Sequence, residues 1–535
     1  MTDRENTTLV DGLVSAARAR RITRRHFMEG ALASGLTVAA ANTLWATKVE
    51  AATPKPGGTY RVGVHDGNTT DSLDPGTTES VFMIQMNHAI RSYLTEITNE
   101  NDVGPDAAVS WEASADASEW RFQLAEGMEF HDGKSMTSAD VVASLNYHRG
   151  EDSKSAAKAL LSDVTDIVAD GKNGVVIKLS NGNADLPYLL SDYHLVMGSA
   201  DAEGNVDWVN GPNAGPYKIK NFDAGVGAEL EKHANYHRDT YFDAVQMTVV
   251  NDPNARQSAL VTGEVDAITE ADLKTVGLMG RRPNITITEV ASGAHCTIPM
   301  FVDTAPFDNA DVRMALKFGI NRQEIVDKIL FGHGSIGNDH PIGPTLPFYA
   351  DLEQREYDPD KAKFHLKQAG LDSLTVSLSA GEAAFSNAVD MAVLFRESAA
   401  AAGITVDVVR EPSDGYWSNV WLKKPFVVVQ WGARPTPDVM FSLAYKDDAA
   451  WNESHWKNAR FNELLLLAKA ELDQAKRAEM YREMQQLCRD DGGTIVPFFR
   501  NRVNVYSNNL KHPESMAGNW ELDGARSYQR WWFDS

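Results

Sequence analysis

An α/β architecture with more than one domain is what this sequence predicts, and three observations carry the prediction. Short β-branched and aromatic runs alternate with longer runs whose apolar residues recur at helical spacing. The chain has 535 residues, more than one ordinary hydrophobic core accommodates, so two or three domains are expected. Its first fifty residues read as an export signal that is removed, which leaves the remainder as the folding unit.

The signal reading rests on order. Thr23-Arg24-Arg25-His26-Phe27-Met28 has a hydroxyl residue, paired arginines and then large apolar residues, the twin-arginine export pattern. Gly30 to Thr47 follows without a charge and is only mildly hydrophobic, which suits a signal better than a membrane anchor. Val49-Glu50-Ala51 puts small residues where cleavage requires them, so a cut after Ala51 is expected, with no Cys beyond it to carry a lipid. The expected location is the periplasm, as a soluble exported protein.

Along the rest of the chain each element has a local reason. Gly58 to Val64 alternates and is β-branched, which predicts a strand. Val81 to Ile97 has helical apolar spacing. Trp120 to Leu124 predicts a strand, and Gly127 with His131-Asp132-Gly133 marks the turn after it. Ser138 to His148 predicts a helix capped by Thr137 or Ser138. Val175–Leu179 and Pro216–Lys220 predict strands. Asn309 to Leu330 is one strongly amphipathic helical region, with Val312, Ala315, Leu316, Ile320, Ile325 and Ile329 on its apolar face. Phe426 to Trp431 reads as a buried strand. Phe461 to Arg489 reads as helix broken near Asp473, and Ile495 to Phe499 as a strand.

Composition excludes several functions. The formal charge is −23, and residues 1–51 hold seven Lys/Arg but five Asp/Glu, so the remainder stands at −25. Such a surface repels nucleic acid and anionic lipid. No later apolar run is long enough to span a bilayer. Cys296 and Cys488 have no metal-ligand spacing. Folding before export in a reducing cytoplasm favours two buried free thiols over a disulfide. No HExxH, GxSxG, GxGxxG or P-loop is present. Ser155-Ala-Ala-Lys158 has the SxxK spacing but no companion motif and reads as a surface helix. His233/His237 and His333/His340 are pairs too sparse for a dedicated metal site. No catalytic residue, cofactor or metal is therefore expected.

What does stand out is aromatic. Tyr416-Trp417, Trp421, Trp431, Trp451 and Trp456 fall within forty-one residues, and Arg434 follows Trp431 by three. Rings supply contact area and a guanidinium fork orients a carboxylate or phosphate, so this segment suits a cleft for a small organic anion.

Several motifs then occur in one order: Asp71-Ser-Leu-Asp74-Pro75, the run from Trp120 to Ser144, Ala214-Gly-Pro-Tyr217, Gly263-Glu-Val-Asp266, Pro306-Phe-Asp308 to Leu316, Asn321-Arg322 and Pro341-Ile-Gly-Pro344. On these residues the chain resembles the family 5 extracytoplasmic solute-binding proteins of ATP-driven (ABC) importers, which include dipeptide-, oligopeptide- and nickel-binding proteins. The resemblance implies a two-lobed periplasmic-binding-protein fold, type II-like, with an extra subdomain inserted in the first lobe. By analogy the first lobe is 53–92, 207–292 and 499–535, the insert 93–206 and the second lobe 293–498. It implies a monomer that captures a peptide-like or small organic solute and delivers it to an inner-membrane ABC permease. Binding of a metal or metal chelate, and sensing rather than uptake, are the alternatives.

The resemblance also points to a site. Peptide-binding relatives carry an Asp after the segment matching Gln430-Trp431-Gly432-Ala433, and it holds the peptide's amino terminus. Here that position is Arg434, which would repel an ammonium group. Either Asp438 takes over the amino group, or the ligand is an anion rather than an ordinary peptide. Trp431 and Trp417, beside Tyr416, match positions that pack on ligand. Asn68 and Thr69 lie in a first-lobe loop that does the same.

Overall fold

The computed structural model describes residues 54–534 except 386, 413–415 and 450, together with 13, 24–34, 36 and 41. Arg24 and Arg25 open a helix, Arg24–Ala33. Thr23 and the expected cleavage segment Val49–Ala51 lie outside the described residues.

Two sheets organise the molecule. The first has seven strands in the order Ile285–Val290, Arg502–Ser507, Ala267–Ile268, Thr59–Val64, Ala244–Val249, Gly227–Lys232 and Tyr217–Asp223. Thr59–Val64 lies at its centre, parallel to Ala244–Val249 on one side and Ala267–Ile268 on the other. The helix Pro253–Thr262 connects these two partners. Asp252 caps it through its carboxylate, and Gly263 ends it at φ 78°, where a side chain would be strained. The second sheet is antiparallel, in the order Gly334–Ile336, Phe498–Arg500, His295–Pro299 and Val429–Trp431, with Thr494–Ile495 also pairing His295–Pro299. A four-stranded antiparallel sheet of Ala108–Ala113, Glu119–Leu124, Gly174–Leu179 and Val164–Asp170 stands apart from both.

Each sheet has its own apolar core. Tyr60, Val62, Phe82, Met247, Tyr528 and Trp531 lie in that of the first, and Trp120, Phe122, Phe130, Val141 and Ile177 in that of the four-stranded sheet. The second sheet has the largest, which includes Ile298, Leu316, Phe395, Phe426, Phe461 and Tyr481. The chain passes between the two main sheets at 291–294 and again at Asn501. This is the two-lobed architecture expected, with α/β lobes and an inserted subdomain.

Several elements differ in extent from the sequence reading. The helical run from Val81 stops at Ile90, and Thr95–Ile97 pairs with Val103–Pro105 instead. Asn309 to Leu330 is two helices, Ala310–Gly319 and Arg322–Ile329, because Asn321 leaves helical geometry and caps the second. Ile495 to Phe499 is two short strands interrupted at Pro497, which has no N–H to donate. The break near Asp473 is present, and its carboxylate caps Gln474–Asp490. Cys296 and Cys488 are both buried and unpaired.

The candidate site is a cleft between the lobes

A large cavity of about 550 Å³ lies between the lobes. His65, Asn68 and Glu270 line its first-lobe side, at or just beyond the carboxyl ends of the parallel strands Thr59–Val64 and Ala267–Ile268. Ligands collect at such ends in open α/β sheets because backbone and loops leave a crevice there. Phe385 and Gln430 line the second-lobe side. Arg500, next to the crossing at Asn501, ties the two walls. It donates to Gln430 Oε1 at 3.1 Å and to Glu270 Oε1 at 3.2 Å. Burial works to raise the Glu270 carboxyl, but Arg500, His65 and Arg502 outweigh it and hold the group below its ordinary value.

The first-lobe loop is fixed from within. Asp71 accepts from the Asn68 backbone N–H at 2.8 Å and from Ser80 Oγ at 2.7 Å. Asn68 and Thr69 are left exposed, and Asn68 shares the large cavity with Gln430.

The second-lobe wall is the strand Val429–Trp431 and the residues that follow. His295, Cys296 and Thr297 pair with Trp431, Gln430 and Val429 in that order. Gln430 faces the large cavity, Gly432 a smaller one, and Ala433 with Arg434 a third near Asn101 of the insert and Asn519 of the first lobe. Successive residues of one short segment therefore run the length of the interlobe gap.

Arg434 holds its guanidinium carbon 5.5 Å above the Trp431 ring. Its hydrogen bonds are two long ones, 3.4 Å each, to the carbonyls of Gly432 and Ala433. Among the described residues it forms no ion pair. Burial pulls it below its ordinary value, while Tyr193 and Asp192 work in the other direction. A half-buried guanidinium with only weak hydrogen bonds and no ion pair can receive an anion.

Trp431 belongs to a ring array. It lies 6.5 Å from Trp421 and 5.9 Å from Trp451, and Trp421 lies 5.6 Å from Trp417 and 5.8 Å from Trp451. Trp431 and Trp421 are the inner members, whereas Trp417 is 45 % and Trp451 39 % exposed and both offer a free face. Two residues expected at the ligand lie elsewhere. Tyr416 is buried in the second-lobe core with its hydroxyl donated to Val428 O at 2.8 Å, so it supports Trp417 from behind. Asp438 is in the first turn of Pro437–Ala444, capped by Thr436, and lines a separate cavity of about 160 Å³ against the insert. Burial pushes its carboxyl up to about 6, partly offset by Lys469.

The sequence reading missed Arg500, Glu270 and Gln430 as site residues. The available signal was a charge placed directly after an apolar strand, in Phe499-Arg500-Asn501-Arg502. Ser155 of the SxxK spacing accepts from Ala157 N–H at 3.1 Å and bonds His148 Nδ1 at 2.6 Å, while Lys158 donates to Glu151 O at 2.8 Å. It therefore caps a buried turn. Among the described residues no three of His, Cys, Asp and Glu gather as a metal-binding group, and no helix is long and apolar enough to cross a membrane.

Residues 102–453 match the family described as bacterial extracellular solute-binding proteins, family 5 Middle. The chain belongs to this family. A family 5 relative, the dipeptide-binding protein of Escherichia coli K12, is 23 % identical over 477 residues, covering 81 % of this chain and 87 % of its own. Among solved structures, the periplasmic binding protein DppA of Helicobacter pylori, in complex with the peptide STSA, superposes with a TM-score of 0.72 at 21 % identity, covering 90 % of this chain and 99 % of that one. The binding protein AgaA of A. tumefaciens R10, in complex with agropinic acid, gives 0.72 at 22 %, covering 89 % and 99 %. These likenesses establish the two-lobed fold, and the cleft just described lies between its lobes.

Proposed function

We propose that this protein is the exported solute-binding component of an ABC importer and that its cleft captures a small organic anion or acidic peptide-like solute. The observation that carries the reading is Arg434, a half-buried cation over Trp431 that forms no ion pair among the described residues. A carboxylate on the solute supplies a counter-ion in bidentate form, and the free faces of Trp417 and Trp451 take the solute's body. The agropinic acid complex of AgaA supports an organic acid as a ligand class within this fold. Asn68, Thr69 and Gln430 complete the set from the two walls.

The lobes are taken as 53–92 with 207–292 and the segment after the crossing at Asn501, and as 293 up to that crossing, with the insert at 93–206. A solute that touches both binds the closed arrangement better and shifts the population toward it. The loaded protein then docks on its permease as a monomer. Export by the twin-arginine route, with cleavage after Ala51, delivers it folded to the periplasm.

The test is a thermal-shift screen of residues 52–535 against matched panels of small organic anions and neutral di- and tripeptides. Anions are expected to raise the melting temperature, because ligand binds only the folded state. Arg434→Ala is expected to remove that response, a loss of about 3 kcal/mol in binding. A shift by neutral peptides that survives in the variant overturns the anion reading.

A further inference from the structure

The four-tryptophan array has an anchor that the binding scheme above does not use. Glu453 is buried in the second lobe, 4 % exposed, directly behind the array. Its Oε1 accepts from the Trp421 indole N–H at 2.6 Å, and its Oε2 accepts from Thr297 Oγ1 at 2.9 Å. Thr297 belongs to the strand that pairs with Val429–Trp431. The Trp431 N–H also favours the ionised carboxyl, although its geometry falls short of a hydrogen bond. Trp421 is the member in contact with all three other indoles. One carboxylate therefore fixes the orientation of the central ring and, through it, the two rings with free faces.

We propose that Glu453 is a positioning residue, whose ionised carboxylate locks the four-tryptophan wall of the second lobe through Trp421 and Thr297. The proposal deepens the reading of the cleft as the solute site and rests on it only for what the wall is used for.

The geometry makes the lock sensitive to protons. The Trp421 indole can only donate, whereas Thr297 Oγ1 can also accept, so protonation reverses the Thr297 bond and weakens the charge-assisted one to Trp421. The titratable groups facing it are Cys296 on His295–Pro299, Tyr416 on Tyr416–Asn419 and Tyr445 at the end of Pro437–Ala444. Burial pushes all three up, so they are neutral near pH 7 and none is a counter-charge. His455, two residues along, turns to Asp303 at 3.0 Å. Burial raises Glu453 itself to about 7, with the donors only partly offsetting it.

The experiment needs no solute. Near-ultraviolet circular dichroism and acrylamide quenching of tryptophan fluorescence are followed from pH 5.5 to 8.5 on wild type, Glu453→Gln and Thr297→Val, with far-ultraviolet spectra as the control for folding. Wild type is expected to show a tryptophan transition centred near pH 7, absent from Glu453→Gln. Thr297→Val, which removes one donor to the ionised form, is expected to move the midpoint up by about one pH unit. If Glu453→Gln does not fold, the Thr297→Val midpoint decides alone. A wild type without the transition, a transition that persists in Glu453→Gln, or an unmoved midpoint in Thr297→Val overturns the proposal. None of these outcomes depends on whether anions bind at Arg434.

Discussion

At the scale of single residues, Arg434 is more weakly bonded than the other described arginines along the cleft. Arg500 has Glu270 and Gln430, and the buried Arg322 has Asp339 at 2.6 Å. Arg434 has two long contacts to its own loop. Its geometry, a planar fork stacked on an indole, is one that lysine cannot reproduce. Arg434→Lys is therefore expected to keep the charge but lose most of the anion response in the thermal-shift screen. If Lys restores it fully, the site reads charge alone. Much of this was legible: Trp431, Trp417 and Arg434 stand within eighteen residues. What was not legible is direction. Tyr416 and Asp438 are as close in sequence to the cleft residues, yet one points into the core and the other toward the insert, because strand and helix geometry send neighbours to opposite sides.

At the scale of elements, the insert rests on the helices of the second lobe. Asp185 accepts from Arg477 at 2.8 Å, with side chains 4 % and 3 % exposed. Lys469 bonds Asp163 at 2.7 Å, and its carbonyl accepts from Ala184 N–H at 2.7 Å. Parting the lobes returns these charges to water, whereas removing one partner strands the other in the closed form at a cost of about 3 kcal/mol or more. Arg477→Met is expected to shift the solute-free protein toward an open shape, read as a larger radius of gyration in small-angle scattering, and Arg477→Met with Asp185→Asn to recover part of it. An unchanged radius counts against the contact as a brace. Sequence reading found the strands Thr59–Val64, Glu119–Leu124, Gly174–Leu179 and Tyr217–Asp223 and the long helices, but not their limits, and it made no reading of Ala244–Val249, His295–Pro299, Arg502–Ser507 or the helix Pro253–Thr262. Ile320-Asn321 interrupts an apolar stripe that periodicity runs straight through, and Thr95–Ile97 becomes a strand only because Val103–Pro105 lies alongside. The pairing of Thr59–Val64 with Ala244–Val249 joins segments almost two hundred residues apart, a register no local pattern encodes.

At the scale of the whole molecule, buried histidines set the response to acid. Burial lowers His88 to about 3 and His131, His148, His295 and His340 to about 4, from an ordinary 6.5. The unfolded chain takes these protons first, so their stabilisation is full above pH 6.5 and lost as pH falls toward 4. Those lowered to about 4 are worth up to about 3 kcal/mol each, less for the partly exposed His131, and His88 up to about 5 kcal/mol. Glu453 and Asp438, raised to about 7 and about 6, work oppositely: their contribution is full below their ordinary values and is lost as pH rises through the raised ones. Five groups against two predict a melting temperature that falls between pH 7 and pH 5, measured at constant ionic strength. A rise over that interval would mean that the two carboxyls dominate.

The two thiols have a practical consequence. Cys296 and Cys488 are sealed in the second-lobe core, and burial pushes both well above the thiol range, so neither offers a thiolate to an alkylating reagent. The native protein should leave Ellman's reagent uncoloured until it is denatured, when two equivalents react. A dye pair can then be attached through cysteines introduced on opposite lobes without first deleting the natural ones. Closure of an otherwise wild-type molecule becomes visible one particle at a time.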